Sequence, residues 1–598
     1  MSQFHDELIT GKAYDGKLVK RLFGFVTPYM RYMLLAIVFL FIVTVLDILP
    51  PFITKIAIDD YIAKNRVGEL YKIIIAYQAV LITHFLFQFL HTYTINLMAQ
   101  SAMYDLRVKL FTHMQSLPFS FYDKNPVGRL ITRVIGDIET LNDLLSAGFV
   151  TIVGDFFSLF GIAAMLLFLD LRLGLITLSI LPVICVITVI YRKYARDAYR
   201  EVRVNQAALN AYFQENVSGV CEVQNFTREE ANFKKFDAIN ARNRDTFIRS
   251  IKQNAMFFPA VELINATAIA AVIYFGGREV MGETIGFGVL VAFTQYINRF
   301  FKPIRDIAEK YNIFQMAMAS CEKTFSLLDL KPAIAGPENP AVVENFKGNI
   351  KFDNVVFEYN EGDEILHGVS FEVKSGESVA IVGRTGSGKT TIINLLARFY
   401  DIKSGTITID GHDIKTLSLE TLRSYIAIMQ QDVFLFSASV DKNIRMNNPK
   451  ISFTQVVSAA RFVNAEKFIE KLPQKYNQPV GERGVTLSVG QRQLLALARA
   501  IAFDPGIIIM DEATSSVDTE TEFLIRDAMK KVLKGRTSII IAHRLSTIKN
   551  VDRIIVLHKG RVRETGSHEE LLKMRGMYYK LYELQYREQE ENEKTASV

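Results

Sequence analysis

Cysteine is scarce. Cys185, Cys221 and Cys321 are the three in 598 residues. They stand far apart with no ligand spacing, which excludes a disulfide framework or a zinc site and leaves free thiols. A strong charge of either sign is also missing. The net charge of +6 is too small to argue for a phosphate-tracking surface, and no nucleic-acid partner is expected. The first thirty residues carry scattered charges without the short apolar core of a secretory signal. Apolar residues, by contrast, are plentiful: the hydrophobic fraction is 49% and mean hydropathy is positive. A chain this long is expected to hold several domains, and one this apolar prompts a search for membrane spans.

Six apolar stretches each come near the roughly 20 residues that a spanning helix needs. They cover residues 33–53, 73–97, 145–169, 173–191, 257–275 and 285–301. The first and third are too long and too poor in charge for buried helices of a soluble core. The first is read as an anchor that stays. Basic residues set the orientation. Lys12, Lys17, Lys20 and Arg21 precede the first span, Arg107, Lys109, Lys124, Arg129 and Arg133 fill one long connection, and residues 192–252 fill another. Both long connections and both termini are therefore expected in the cytoplasm.

The long connections do not read as loops. Residues 100–117 and 194–213 are polar but helix-friendly, and look like continuations of membrane helices into the cytoplasm. Each returns through turn residues, at 122–129 and at 216–220. A set of polar groups falls inside the spans: Asp47, His84, Gln88, Asp155, Glu262, Asn265 and Arg299. Such groups line a cavity or bond across helices, and the sequence is compatible with either.

Composition changes at residues 331–340, where three prolines and a glycine mark a boundary. Beyond this boundary the chain reads as soluble α/β, with strands at 350–358, 368–373, 378–382 and 406–409. The last residues, from Arg587, are acidic, almost without apolar side chains, and read as disordered.

The run Val379-Ala380-Ile381-Val382 reads as a buried strand. It feeds Gly383-Arg384-Thr385-Gly386-Ser387-Gly388-Lys389-Thr390-Thr391, and then an apolar helix. Gly383 to Thr390 fits G-x-x-x-x-G-K-[ST], and the strand–loop–helix context separates it from a chance glycine-rich turn. Backbone N–H groups of such a loop turn inward on phosphate oxygens at the positive end of a helix. Lys389 can reach the β- and γ-phosphates, and the Thr390 hydroxyl can ligate Mg²⁺. Further on, Ile507-Ile508-Ile509-Met510 is an apolar strand ending in Asp511 and Glu512. Asp511 suits the Mg²⁺ position, and Glu512 lies where a carboxylate polarises water against a γ-phosphate. Shortly before it, Leu487-Ser488-Val489-Gly490-Gln491 opens a Leu- and Ala-rich helix and makes a second candidate anion site.

Leu487 to Gln491 resembles the signature motif of ABC transporters, and its place one short helix ahead of Asp511-Glu512 strengthens that resemblance. Other motifs fall in the family's order. Tyr359 resembles the aromatic residue that stacks on adenine, and Gln431 the glutamine that senses Mg²⁺ and the membrane domain. Gly481-Glu482-Arg483-Gly484 looks like the segment that meets coupling helices in exporters. Ser515-Ser516-Val517-Asp518 resembles the loop that crosses the dimer interface, and His543 the switch histidine at the γ-phosphate. The third signature position is Val489 where the family usually has glycine; Ser488 and Gly490, which should face phosphate, are retained. One site of heterodimeric exporters often carries altered motifs, and homodimer and heterodimer both stay open.

With six spans ahead of one nucleotide domain, the chain resembles a half-transporter of the ABC exporter class, of the multidrug and lipid A type. The resemblance implies a multidomain membrane protein, a six-helix transmembrane domain of the type I exporter kind followed by an α/β P-loop ATPase domain. The implied division is an N-terminal segment 1–30 with an elbow helix at 18–29, a transmembrane domain 31–330, a linker 331–345, a nucleotide-binding domain 346–585 and a tail 586–598. Coupling helices would lie within 121–133 and 214–226. Glu512, His543 and Lys389 would carry catalysis. Tyr359, the loop from Gly383 to Thr391, Gln431, Ser488, Gly490 and Gln491 would hold ATP, and Thr390, Gln431 and Asp511 would hold Mg²⁺. The implied activity is ATP-driven export, or leaflet flipping, of an amphipathic small molecule, drug or lipid across the inner (cytoplasmic) membrane by a dimer embedded in membrane lipids. The rival readings are a nucleotide-gated channel or regulatory membrane protein on the same fold, and a non-transporting ABC ATPase, against which the spans argue.

Overall fold

The computed structural model describes residues 15–585 apart from 333, 335, 338, 342, 344–345, 512–518, 542–547 and 550. Glu512, residues 515–518 and His543 lie outside the described residues. The chain forms two compact units: Met1–Gln115 with Val127–Leu330, and Ser116–Pro126 with Lys331–Val598.

The first unit is helical. Its longest elements are Met30–Ile56, Leu70–Ser116, Val150–Leu169, Leu181–Ser218, Glu229–Met281 and Phe287–Leu328. The 47 residues of Leu70–Ser116 make a rod about 70 Å long, more than twice the ~30 Å of bilayer hydrocarbon. The polar stretches after the second and fourth expected spans are thus continuous helix. Among the described residues, four helical runs are long and apolar enough to cross a membrane: Gly16–Ile62, Val67–Ser116, Val127–Leu169 and Glu229–Met281. They contain the first, second, third and fifth expected spans. The fourth differs from a single rod. It is split into Leu171–Leu178 and Leu181–Ser218, because Pro182, which lacks an N–H, starts a new helix rather than continuing the old one. The sixth lies at the head of Phe287–Leu328, where Arg299 and Lys302 interrupt the apolar run.

Helix starts in this unit are held by carboxylates. Asp170 accepts the Leu173 N–H at 2.8 Å, the usual N-cap bond. Asp59 reaches across from another helix to accept the Gly288 N–H at 2.6 Å. A side chain at 288 would bring its Cβ within 2.5 Å of the Lys55 carbonyl oxygen, so glycine is required for that approach. Several of the polar groups expected within the spans find partners on neighbouring helices. Asp47 pairs with Arg299 at 2.8 Å and Asp155 with Lys310 at 2.5 Å, while the Asn265 amide donates to Asn298 at 3.1 Å. Ile162, Leu166, Phe293, Tyr296 and Ile297 are buried in the apolar core of this unit. Among the described residues, proline interrupts the hydrogen-bond ladder inside three helices: at Pro50 and Pro51, at Pro259 and at Pro303.

The described residues of the second unit form two sheets. One is antiparallel, in the order β2 (Glu364–Val373), β1 (Ile350–Glu358), β4 (Ser404–Ile409) and β5 (His412–Asp413). The other runs β10 (Arg561–Gly566), β9 (Arg553–His558), β3 (Ser378–Val382), β8 (Thr537–Ile541), β7 (Ile507–Asp511) and β6 (Ile426–Met429). From β9 to β6 it is parallel. Near-continuous apolar runs such as Ile507-Ile508-Ile509-Met510, all buried, are what a parallel sheet covered on both faces demands. Two apolar clusters fill those faces, one around Leu435, Leu494 and Ile540 and one around Phe352, Leu395 and Ile541.

Asp410 ties the entry of β1 to the end of β4. Its carboxylate accepts the backbone N–H groups of Lys347 at 2.7 Å, Gly348 at 3.0 Å and Asn349 at 2.9 Å, and the Asn349 amide at 2.8 Å. Burial pushes the Asp410 pKa up, but the hydrogen bonds prevail and hold it below the ordinary carboxylate value. A lowered folded-state pKa gives stability that is present above the unfolded value and lost as pH falls through the folded one. Asp410→Ala should therefore cost about 2 kcal/mol or more at neutral pH. In thermal unfolding scans, its deficit against the wild type should shrink as pH drops below about 4.

Candidate functional site

The parallel sheet fixes which chain ends meet. Ile541 of β8 is registered with Ile381 of β3 on one side and with Asp511 of β7 on the other. The strand leading into the glycine-rich loop and the strand ending in Asp511 therefore finish at one sheet edge. That edge, at the carboxyl ends of parallel strands, is where open α/β sheets bind ligands. Gln431 follows β6 at the same edge by two residues and is exposed.

Two glycines decide the shape of the loop. At Gly383 a Cβ would stand 2.3 Å from the Leu557 carbonyl oxygen, so any side chain would push the loop off β9. Gly388 has φ +100°, and its Cβ would meet the Leu366 side chain at 2.6 Å. It is the left-handed residue from which the helix Lys389–Leu396 starts. Arg384, Thr385 and Gly386 lie on the loop's outer turn, whereas Ser387 and Lys389 are buried. The Lys389 ammonium donates back to the loop, to the carbonyl oxygens of Gly383 at 2.8 Å and Arg384 at 3.2 Å. Burial lowers its pKa, and Asp511 pulls the other way. The Thr390 hydroxyl lies 3.5 Å from Asp511 Oδ2. These two hard oxygen donors, one neutral and one anionic, fit a magnesium ion.

Tyr359 is partly exposed. Its hydroxyl donates to Thr391 Oγ1 at 3.2 Å, and its ring stands edge-on to Phe357 and Tyr400, with centroids 4.8 and 5.1 Å away. The signature segment is built as a helix start. Ser488 accepts the Gln491 N–H at 3.2 Å, and Gln491 accepts the Ser488 N–H at 3.1 Å, a reciprocal capping box. The helix Val489–Ala502 follows, with Val489 exposed and Gly490 buried. Residues 481–484 form a tight turn in which Arg483 takes φ +53° and its carbonyl accepts from Arg492 at 3.3 Å.

One part of the unit carries no motif of its own. The helix Phe119–Lys124 starts two residues ahead of the expected first coupling segment and overlaps it at 121–124; it is broken from the next helix at Asn125-Pro126. Phe119 stacks on Phe399 with centroids 5.5 Å apart and stands edge-on to Tyr400. Tyr400 donates its hydroxyl to Asp123. Burial and then this bond push the Tyr400 phenol far above its ordinary pKa, so it stays a donor at physiological pH. Arg423 caps Phe399, 5.2 Å from the ring centre. The adjacent aromatics after the phosphate-loop helix were the available signal in the sequence. The second expected coupling segment holds the helix Val220–Asn225, started at Gly219.

Comparison with known proteins agrees with this architecture. Residues 33–304 match the family described as the ABC transporter transmembrane region, and residues 366–515 the one described as ABC transporter. The chain is 40% identical over 583 residues to the uncharacterized ABC transporter ATP-binding protein YknV of Bacillus subtilis, covering 97% of this chain and 96% of that one. It is 33% identical over 571 residues to an ATP-dependent lipid A-core flippase of Syntrophus aciditrophicus, covering 96% and 95%. A solved structure of a bacterial Atm1-family ABC exporter with ATP bound superposes with a TM-score of 0.76 at 29% identity, over 93% of this chain and 98% of that one. A membrane-integral helical unit fused to an ATP-binding P-loop domain defines a transport ATPase. The chain belongs to the ABC transporter family, in its exporter form, and couples ATP hydrolysis to transport.

Lys389→Ala removes the cation that grips two loop carbonyls, and Gly383→Ala drives a Cβ into Leu557. Both should lower ATP affinity at least tenfold, read by fluorescent-nucleotide displacement on the purified protein. Only Gly383→Ala should also lower the thermal midpoint by several degrees.

Proposed function

We propose that this protein moves an amphipathic small molecule, drug or lipid outward, or between leaflets, across the cytoplasmic membrane, as one half of a dimer with both termini in the cytoplasm. The observation that carries the reading is the meeting of the Gly383–Thr391 loop and Asp511 at one sheet edge, in a chain whose other unit is built of apolar helices. The lipid A-core flippase relative supports a lipid-like cargo.

On this reading the ATP base stacks on Tyr359, and loop N–H groups from Gly383 to Thr391 hold the phosphates. Lys389 leaves the Gly383 and Arg384 carbonyls for the β- and γ-phosphates, exchanging neutral acceptors for charged ones. Thr390, Asp511 and Gln431 hold Mg²⁺, which neutralises phosphate charge when bound. Glu512 orients and polarises the attacking water, and His543 bonds the γ-phosphate. Ser488, Gly490 and Gln491 face the triphosphate held by the second subunit, so each site is completed across the dimer. Closure of the two nucleotide domains on ATP favours an outward-open membrane domain, and hydrolysis resets it.

Glu512→Gln should keep ATP affinity and lose turnover by at least a hundredfold. Phosphate release by the reconstituted protein, together with any partner it requires, measures this; near-normal release would remove Glu512 as the base. ATP-dependent uptake of a fluorescent lipid or dye into inside-out vesicles separates transport from an ATP-gated passive current.

A further inference from the structure

The aromatic contacts around Tyr400 form a path from the base-stacking residue Tyr359 to the short helix Phe119–Lys124. Asp123 and Phe119 both lie in that helix, which comes after the Leu70–Ser116 rod in the chain. Tyr400 is buried, 9% exposed, and bonds Asp123 through its hydroxyl while presenting its ring to Phe119. The same ring lies at 89° to Tyr359, 5.1 Å away, and also meets Phe357 at 5.8 Å. Tyr359 continues to Thr391, next to Thr390 in the first turn of the phosphate-loop helix.

We infer that Tyr400 is a positioning residue that couples the base-binding face of Tyr359 to the Phe119–Lys124 helix, so that occupancy by a nucleobase, rather than by phosphates alone, is what this segment senses. The inference rests on the reading of Tyr359 as the adenine partner. Its physical basis is that edge-to-face pairs are directional. Fixing the Tyr359 ring under a base narrows the orientations open to Tyr400. The Tyr400 hydroxyl is tied to the charged carboxylate of Asp123, so that narrowing reaches the coupling segment. The anchoring is firm on the far side, because Phe399 meets both Phe119 and Arg423. The phosphate-binding lysine points elsewhere: Lys389 bonds within its own loop.

Hydrogen–deuterium exchange on the full-length protein in nanodiscs tests this, with AMP-PNP and tripolyphosphate as the two probes. AMP-PNP should slow exchange in residues 116–126 of the wild type, and tripolyphosphate at saturating concentration should not. Tyr400→Phe keeps the ring and loses the Asp123 bond. It should retain the wild-type KM for ATP while losing at least half of the AMP-PNP protection. Tyr400→Ala should also raise KM for ATP about three- to tenfold with kcat changed less than about twofold. Equal protection by tripolyphosphate, or full protection in Tyr400→Phe, overturns the inference. Tyr359→Ala separates the two claims: an unchanged KM for ATP in that variant removes the adenine reading itself, whereas a raised KM beside full protection in Tyr400→Phe removes only the coupling role.

Discussion

The close approach of backbone to backbone at the end of β3 is the constraint on which the nucleotide-binding unit depends. Gly383 lies so near the Leu557 carbonyl that no side chain fits, and Gly388 turns left-handed under Leu366. Between these two points the chain has only enough residues to wrap a loop and start a helix. The loop can sit there because β3 is central, with β8 and β9 on its flanks. The same centrality brings Asp511 to the edge, since β7 and β3 share β8 as neighbour. Packing of apolar strands thus sets the distance between the carboxylate and the loop, and the polar chemistry inherits it.

Charge is handled differently in the two units. In the helical unit, several buried or half-buried charges are matched across helices, as Lys310 with Asp155 and Arg299 with Asp47. Where water is scarce, an unmatched charge is costly and a matched one locks helix register. In the nucleotide unit, several ionic groups instead hold backbone. Asp410 gathers three N–H groups, Arg423 takes the carbonyls of Ala397 and Arg398, and Lys389 takes those of Gly383 and Arg384. Those bonds shape loops, which are what a phosphate-binding protein must shape accurately.

Much of this was legible in the sequence, for identifiable reasons. The strands at 350–358 and 378–382 were readable because burial on one or both faces leaves a distinct apolar pattern. The phosphate loop was readable because its geometry admits few residues at Gly383, Gly388 and Lys389. The polar helical stalks were readable from the lack of breakers in 100–117 and 194–213. The split of the fourth span was less so: Pro182 sits inside a continuous apolar run, and hydropathy does not register a missing N–H. For Tyr400 the sequence offers only the adjacent aromatics Phe399-Tyr400, because its partners Phe119, Asp123 and Tyr359 are far away in sequence. Aromatic contacts of that kind leave no local period. Glu512 is legible from its place just after an apolar strand and His543 from the family resemblance, and both lie outside the described residues.

The distribution of proline across the long helices has a mechanical meaning. Leu70–Ser116 contains neither glycine nor proline, and Leu181–Ser218 has only Pro182 in its first turn. These are the two rods that lead into the short helices Phe119–Lys124 and Val220–Asn225. The helix returning from the second of these carries Pro259, and the last long helix carries Pro303. An uninterrupted ladder resists bending, while a proline removes one rung and leaves a compliant joint. The outgoing rods are struts and the proline-bearing ones are jointed. Along the helical unit, stiffness is therefore uneven: the two long rods resist bending over their whole length, and flexure is easiest at Pro259 and Pro303.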